Sequence, residues 1–413
     1  MEDVLSRAEA LARHSDSPEH YTRTWLTPAH QAAARQIAAW MREAGMGVHV
    51  DAVGSVIGRY EASHPAEPSS QAAQVLMIGS HFDSVRNGGK YDGVLGILLP
   101  IACVAELSRL GERLPYTIEV VAFSDEEGAR FQTSFLASKA MVKGAEGMRP
   151  LLERRDADGV TVAEAMRAAG LDPDATDDAR IDPRGLMAYV EVHIEQGPVL
   201  LDAGLPLGVV TSIASGTRYL VRVRGEAGHA GTVPMPRRHD ALAAAAEMVL
   251  AVEDEAVRGG VGTVGLLKVA DGSGNVIPGD VEFTIDLRAP EDATRRRLEE
   301  RVIERLGTIA VRRGVKLEAK PRHDVKAAPC ALWLQMQLSA CLERVGVNPM
   351  RLPSGAGHDA MVLAEVTDVG MMFVRCGAGG VSHNPAETVT AEDVDVAQRA
   401  LLHFLRSFSP PRR

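Results

Sequence analysis

Among the side chains of this 413-residue chain whose types bind cations or move protons, six stand out by their placement: His81, Asp92, Glu126, Glu127, His193 and His383. Most of them follow short apolar runs. Residues 75–78 (Val-Leu-Met-Ile) leave no room for a helix before Gly79, so they read as a buried strand that delivers His81 and Asp83 at its C-terminal end. The run 117–123 leads straight into Ser124-Asp125-Glu126-Glu127, and 187–192 leads into His193. Ligands of open α/β sheets sit at such strand ends. The loop Asn87-Gly88-Gly89 returns the backbone to Asp92-Gly93, after which 94–110 reads as a buried helix.

Imidazole and carboxylate donors together suit borderline divalent ions such as Zn²⁺, Mn²⁺ or Co²⁺, and the lack of cysteine partners argues against a closed structural zinc site. Two ions are served if Asp92 bridges them, with His81 and His193 on one side and Glu127 and His383 on the other. A pair held ~3.5–4 Å apart activates water and polarises a carbonyl, which is hydrolytic chemistry. Neighbouring side chains in extended backbone point apart, so Glu126 stays free to act as general base and then to protonate a leaving nitrogen. Asp83, two residues from His81, is spaced to fix that imidazole. Asp125 and Glu195 read as local hydrogen-bonding groups. Taken singly, a His-x-Asp or a Glu-Glu pair also occurs at solvated strand ends; a buried strand running into each pair weighs against that reading here.

The elements that must position these groups belong to an ordinary soluble α/β chain, with 46% hydrophobic and 24% charged residues. Its length exceeds one typical hydrophobic core, so two domains are expected. A net charge of -10 argues against a nucleic-acid partner. Cys103, Cys330, Cys341 and Cys376 are scattered without CxxC spacing and read as reduced, buried thiols. No secretion-like start precedes the first helix, and the longest apolar run is too short to span a bilayer. A cytoplasmic protein with no membrane partner is the expectation.

In chain order, Thr27-Pro28 opens a helix over 30–44, 48–60 holds two short strands around Gly54, and 63–71 is a surface loop. Residues 144–184 read as solvent-facing connections with a helix near 161–169. From 212 to 326 the pattern becomes strand 218–224, helix 239–257, strand 262–270, strand 281–289, helix 292–313 and strand 315–321. That βαββαβ order is ferredoxin-like. The catalytic domain is therefore expected over 1–211 and 327–413, interrupted by an inserted domain at 212–326. It resumes with a helix at 331–345, the loop Ser354-Gly-Ala-Gly-His358-Asp359, a strand at 369–374 and Ser382-His383-Asn384-Pro385.

The motifs Gly-Ser-His81-Phe-Asp83-Ser-Val-Arg-Asn-Gly-Gly-Lys-Tyr-Asp92-Gly, Phe-Ser-Asp-Glu126-Glu127-Gly-Ala-Arg-Phe, Val-His193-Ile-Glu-Gln196-Gly-Pro, Gly-His229-Ala-Gly-Thr, Gly-Asn275-Val-Ile-Pro, Asp286-Leu-Arg288, Gly-Ala-Gly-His358-Asp-Ala-Met and Ser-His383-Asn-Pro-Ala-Glu stand in one order along nearly the whole chain. The sequence resembles the amidohydrolase branch of the M20 metallopeptidase clan, which includes allantoate amidohydrolases, N-carbamoyl-L-amino acid hydrolases, β-ureidopropionases and ureidoglycolate amidohydrolases.

The resemblance implies an α/β metallopeptidase-like domain with a mixed sheet and an inserted dimerisation or lid domain, hence a homodimer. It implies two divalent ions, Mn²⁺ favoured over Zn²⁺, Co²⁺ or Ni²⁺, on His81, Asp92, Glu127, His193 and His383, with Glu126 as base. His229 corresponds to a residue that steadies the oxyanion, and Gln196, Asn275 and Arg288 correspond to residues that bind a small ureido acid. For His358 a site-lining role and a loop-holding role stand level. The stretch Arg130-Phe-Gln-Thr-Ser-Phe-Leu-Ala-Ser-Lys139, the run Met372-Phe-Val-Arg375-Cys376 and Arg218 in Ser-Gly-Thr-Arg resemble the allantoate subgroup. Arg218 would reach a second ureido group, or else is a surface arginine. The implied reaction is hydrolysis of allantoate to ureidoglycine, ammonia and carbon dioxide, with carbamoyl amino acids, β-ureidopropionate and ureidoglycolate as alternative substrates.

Overall fold

The computed structural model describes residues 4–63 and 74–411. Most of the expected loop at 63–71 lies outside the described residues. Two compact units divide the chain, one of Met1–Thr211, Cys330–Leu352 and Gly357–Arg413, the other of Ser212–Pro329 and Pro353–Ala356.

The first unit is built on a mixed sheet whose strands run in the order Gly47–Val50, Val56–Tyr60, Thr117–Phe123, Val75–His81, Leu186–Ile194, Val369–Val374, Leu207–Ile213. The middle four pair in parallel, with Gly79 opposite Val121, Ile78 opposite Val190 and Phe373 opposite His193. Val75–His81 and Val369–Val374 are buried at every position, as parallel strands covered on both faces should be. Parallel alignment also puts the C-terminal ends of these four strands on one edge of the sheet. Helix Val94–Arg109 packs directly on the sheet through Leu95, Ile97, Leu98, Ile101 and Val104, all buried, and carries Pro100 in its interior. Each fully buried Leu, Ile or Val side chain contributes about 1.5–3 kcal/mol. Helix Pro28–Glu43 starts where Thr27 accepts a hydrogen bond from the His30 N–H, with proline in its first turn.

The strand expected at 187–192 is longer than its apolar run. It spans Leu186–Ile194, because Phe373 and Val374 continue the ladder past His193, which therefore sits within the strand.

The second unit holds an antiparallel sheet ordered Leu267–Val269, Asp280–Ala289, Ser215–Arg224, Lys316–Val325. Helices Ala241–Ala256 and Asp292–Arg313 supply Ala244, Met248, Val252, Leu298, Val302 and Leu306 to a core with Val221, Val223, Phe283, Ile285 and Leu287. In Asp280–Ala289 the odd positions are buried and the even ones half-buried, so Asp286 and Arg288 share the other face. The single strand expected at 262–270 is two, Val261–Thr263 and Leu267–Val269. Thr263 pairs with Asp286 and Leu267 with Phe283, so three residues on one side face two on the other, and the extra residue breaks the ladder.

Among the described residues no helix is long and apolar enough to cross a membrane. All four cysteines are buried and unpaired with one another.

Candidate metal centre

The four parallel strand ends bring His81, Asp92, Glu126, Glu127, His193 and His383 together in the first unit. Ligand-type atoms of His81, Asp92 and His193 lie within 4.8 Å of one another, as do those of Asp92, Glu127 and His383, and those of His81, Glu126 and Glu127. Asp92 is common to two of these groups and divides its oxygens between them. Its Oδ1 lies 3.3 Å from His193 Nε2 and 3.8 Å from His81 Nε2, while Oδ2 lies 3.1 Å from His383 Nε2. His383 Nε2 is also 3.1 Å from Glu127 Oε1.

Ring orientation bears on whether these donors fit cations. His193 Nδ1 is 2.9 Å from the Ile194 carbonyl, and His81 Nδ1 is 3.3 Å from Asp83 Oδ1, so each ring donates through Nδ1. The Gly93 N–H points at His193 Nε2 from 3.3 Å, which marks that nitrogen as the acceptor. The His193 Nε2 lone pair therefore faces Asp92 Oδ1, an arrangement that a divalent cation satisfies and that a carboxylate alone does not, and His81 Nε2 lies beside the same oxygen. Oxygen and imidazole donors in this number fit such an ion. The carboxylate of Asp83 also accepts the backbone N–H groups of Glu126 (3.0 Å) and Glu127 (3.1 Å), so one side chain orients His81 and the acidic pair together.

Electrostatics follow from burial and crowding. Desolvation and the neighbouring carboxylates Glu127 and Asp359 push the Glu126 carboxyl well above its usual range, against the pull of His81. Burial also raises Glu127, with His383 opposing. Burial works to raise Asp92 too, but the His383 hydrogen bond and the charges of His193 and His81 outweigh it and hold that carboxyl low. Hydrogen bonds that His383 donates to the Asp92 and Glu127 carboxylates hold its pKa up to about 10.

Gln196, in left-handed backbone with φ 57°, donates its side-chain amide towards both Asp92 oxygens at 3.2 and 3.3 Å. His358 is buried and sits edge-on to His193 with ring centroids 4.6 Å apart; burial first, then His193, holds its pKa well below the ordinary value. Arg218, His229, Asn275 and Arg288 belong to the second unit. There Arg218 Nε and Arg288 Nε both donate to the Asp286 carboxylate, at 2.8 and 2.9 Å, and Arg288 Nη1 donates to the Gly355 carbonyl. Both arginines line one cavity of that unit, about 650 Å³ in volume. His229 pairs with Val276 across a two-stranded ladder, and the Asn275 carbonyl accepts from the Ala230 N–H. Glu195 accepts from the Val199 and Leu200 N–H groups, a local cap.

Sequence reasoning missed Glu191. It is fully buried, accepts from Ser80 Oγ at 2.7 Å, and forms a further donor group with His193 and His358. Its position two residues before His193, on the same face of one strand, is the signal that would have found it.

Comparison with known proteins supplies the remaining observations. Residues 76–407 match the sequence profile of peptidase family M20/M25/M40. An N-carbamoyl-L-amino acid amidohydrolase of Geobacillus stearothermophilus is 43% identical over 386 residues, covering 92% of each chain. An allantoate deiminase of Arabidopsis thaliana is 40% identical over 444 residues, covering 98% of this chain and 82% of that one. Among solved structures, an amidase of the hydantoinase/carbamoylase family from Burkholderia multivorans superposes with a TM-score of 0.89 at 33% identity, covering 98% of this chain and 96% of that one.

Proposed function

The chain belongs to peptidase family M20/M25/M40, and from that premise we propose that it is a dinuclear metal amidohydrolase that cleaves allantoate to ureidoglycine, ammonia and carbon dioxide. It is a hydrolase of carbon–nitrogen bonds outside peptides, as its relatives named for allantoate, carbamoyl amino acids and ureidoglycolate are. The observation that carries the proposal is the division of Asp92, with Oδ1 facing His81 and His193 and Oδ2 facing His383 beside Glu127. That division supports two ions sharing one carboxylate, with Mn²⁺ favoured by family likeness.

Bound there, the ions would polarise a ureido carbonyl and make water acidic enough to be deprotonated near neutral pH. Glu126 takes the proton of the attacking water and returns it to the departing nitrogen. A carboxyl raised by burial holds a proton more firmly than an exposed one, which suits its carriage from water to the departing nitrogen. His229 steadies the oxyanion, and Gln196, Asn275 and Arg288 orient the substrate, the guanidinium clamping its carboxylate. Arg218 supplies a contact for the second ureido group. His358 lines the centre beside His193.

The second unit, in this proposal, is an inserted ferredoxin-like domain that serves as lid and dimer contact; its sheet order, with the first and third strands of the βαββαβ order (Ser215–Arg224 and Asp280–Ala289) central, supports that topology. Sedimentation of the purified protein at twice 44.1 kDa would bear out the dimer. Four free buried thiols suit the reducing cytoplasm.

The second reading, an N-carbamoyl-L-amino acid hydrolase, rests on the Geobacillus relative at 43% identity. Metal-stripped protein resupplied with Mn²⁺ and assayed side by side separates the two. Faster turnover of allantoate than of carbamoyl-methionine supports the first reading, and the reverse order replaces it with the second.

A further inference from the structure

Glu387 ends the Ser-His-Asn-Pro-Ala-Glu motif, yet nothing above uses it. It is only 1% exposed, although it lies four residues after the half-exposed His383. Its Oε1 accepts the backbone N–H groups of Tyr91 (2.9 Å) and Asp92 (3.1 Å), and its Oε2 accepts from Ser382 Oγ (2.7 Å). One carboxylate thus joins the backbone of Asp92 to the residue next to His383, across nearly 300 positions of sequence.

Room for that carboxylate is made by Gly89. A Cβ there would stand 2.0 Å from the carboxylate carbon of Glu387 and 2.1 and 2.3 Å from its oxygens, so no other residue type fits against the seated side chain. The second glycine of the 87–89 loop is explained by this cradle. Burying a carboxylate costs several kcal/mol unless its oxygens are satisfied, so three hydrogen bonds on a nearly inaccessible acid mark a position held for a purpose.

We propose that Glu387 is a positioning residue of the metal centre: by holding the Asp92 backbone and the 382–383 loop against each other, it sets the distance between the Asp92 and His383 donor atoms. The inference rests on the metal reading given above. Partners that orient ligands in this way typically account for 10–100-fold in metal affinity.

The test is calorimetric titration of Mn²⁺ into metal-stripped protein, with thermal unfolding of the same stripped samples as control. Glu387→Ala is expected to weaken binding of at least one ion by about 10-fold or more, with the unfolding of the stripped protein remaining cooperative. Glu387→Gln keeps an oxygen for the Tyr91 and Asp92 N–H groups and is expected to recover most of that loss. A folded Glu387→Ala protein that binds Mn²⁺ like the parent overturns the proposal. If the alanine variant does not fold, Ser382→Ala decides: it cuts the 2.7 Å link from Glu387 to the His383 loop together with a 3.5 Å contact from Gln196 Nε2 and is expected to weaken binding several-fold, and unchanged affinity overturns the proposal. Parent protein that binds no divalent ion at all would remove the metal reading itself, a result distinct from either of these.

Discussion

At the scale of single residues, the division of labour between Glu126 and Glu127 is the assignment on which turnover depends. Glu127 faces His383 and the Asp92 side of the centre, whereas Glu126 meets Glu127 only in the group that includes His81. Glu126→Gln keeps the shape and removes the base, so turnover should fall by roughly two to four orders of magnitude, the span attributed to general acid–base catalysis. Mn²⁺ binding to the stripped variant should remain near that of the parent; near-normal turnover would reject Glu126 as the base. His30 offers a second test, of stability in place of turnover. Its Nε2 lies 2.7 Å from the Ser124 carbonyl, its Nδ1 has no hydrogen-bond partner among the described residues, its ring stacks on Phe82, and burial holds its pKa down to about 4. Below pH 6.5 the unfolded chain takes up a proton that the folded ring refuses, so His30 costs stability as pH falls, up to roughly 3 kcal/mol by about pH 4. Asp51 slopes the other way: burial raises its carboxyl from 3.8 to about 6, and its contribution is lost as pH rises through that window. The two offset each other in the parent, so the readable quantity is a difference. The stability gap between parent and His30→Gln, measured by urea denaturation in matched metal, should narrow as pH is lowered from about 7 to about 4. A gap independent of pH would show that His30 titrates normally.

At the scale of elements, the donors depend on how closely helix Val94–Arg109 approaches strand Leu186–Ile194, since Asp92 stands two residues before the one and His193 lies near the end of the other. Gly96 permits that approach: a Cβ there would stand 2.1 Å from the Val192 carbonyl oxygen and 2.7 Å from Ser80 Cβ. Alanine is favoured over glycine in a helix by about 1 kcal/mol, but overpacking costs about 1–3 kcal/mol, and a backbone oxygen cannot rotate away as a side chain can. The clash wins, so Gly96→Ala should lower the denaturation midpoint, and a stabilised variant would mean that the helix stands further from the strand. Much of this level is legible in sequence. The apolar runs before His81, Glu126 and His193 are short and uninterrupted, so strand ends carrying donors can be read directly. Asp292–Arg313 is read to the residue because its N-terminal acid and Gly314 punctuate it. What is not legible depends on partners far away in sequence. The extension of the strand past His193 needs Phe373 and Val374, the break at 264–266 needs the pairing with Asp280–Ala289, and Glu191 and Glu387 are buried acids whose hydrogen bonds come from Ser80, Tyr91 and Asp92.

At the scale of the whole molecule, five proposed ligands come from positions 81, 92, 127, 193 and 383, so the centre exists only while four strands and the loops beyond them are in register. An unfolded chain presents the same side chains with no fixed geometry, and ions that bind the folded form alone add their binding free energy to its stability. One ion at 100 times its dissociation constant contributes about 2.7 kcal/mol, and two independent ions about twice that. For chains of 150–250 residues each kcal/mol moves the melting temperature by about 2–4 °C, and the shift per kcal/mol shrinks as the chain lengthens, so for this chain the effect is a few degrees, enough to resolve by calorimetry. Chelator-treated protein should therefore melt several degrees below protein at saturating Mn²⁺, with the parent melting temperature restored on adding the ion back. Replacing His383 by alanine removes a ligand from one of the two donor groups and leaves His81 and His193 with Asp92 Oδ1, so that variant should retain about half of the metal-dependent shift. A variant that keeps the whole shift would place His383 outside the metal centre, and a parent whose melting temperature ignores both chelator and Mn²⁺ would leave the convergence on Asp92 without a cation to explain it.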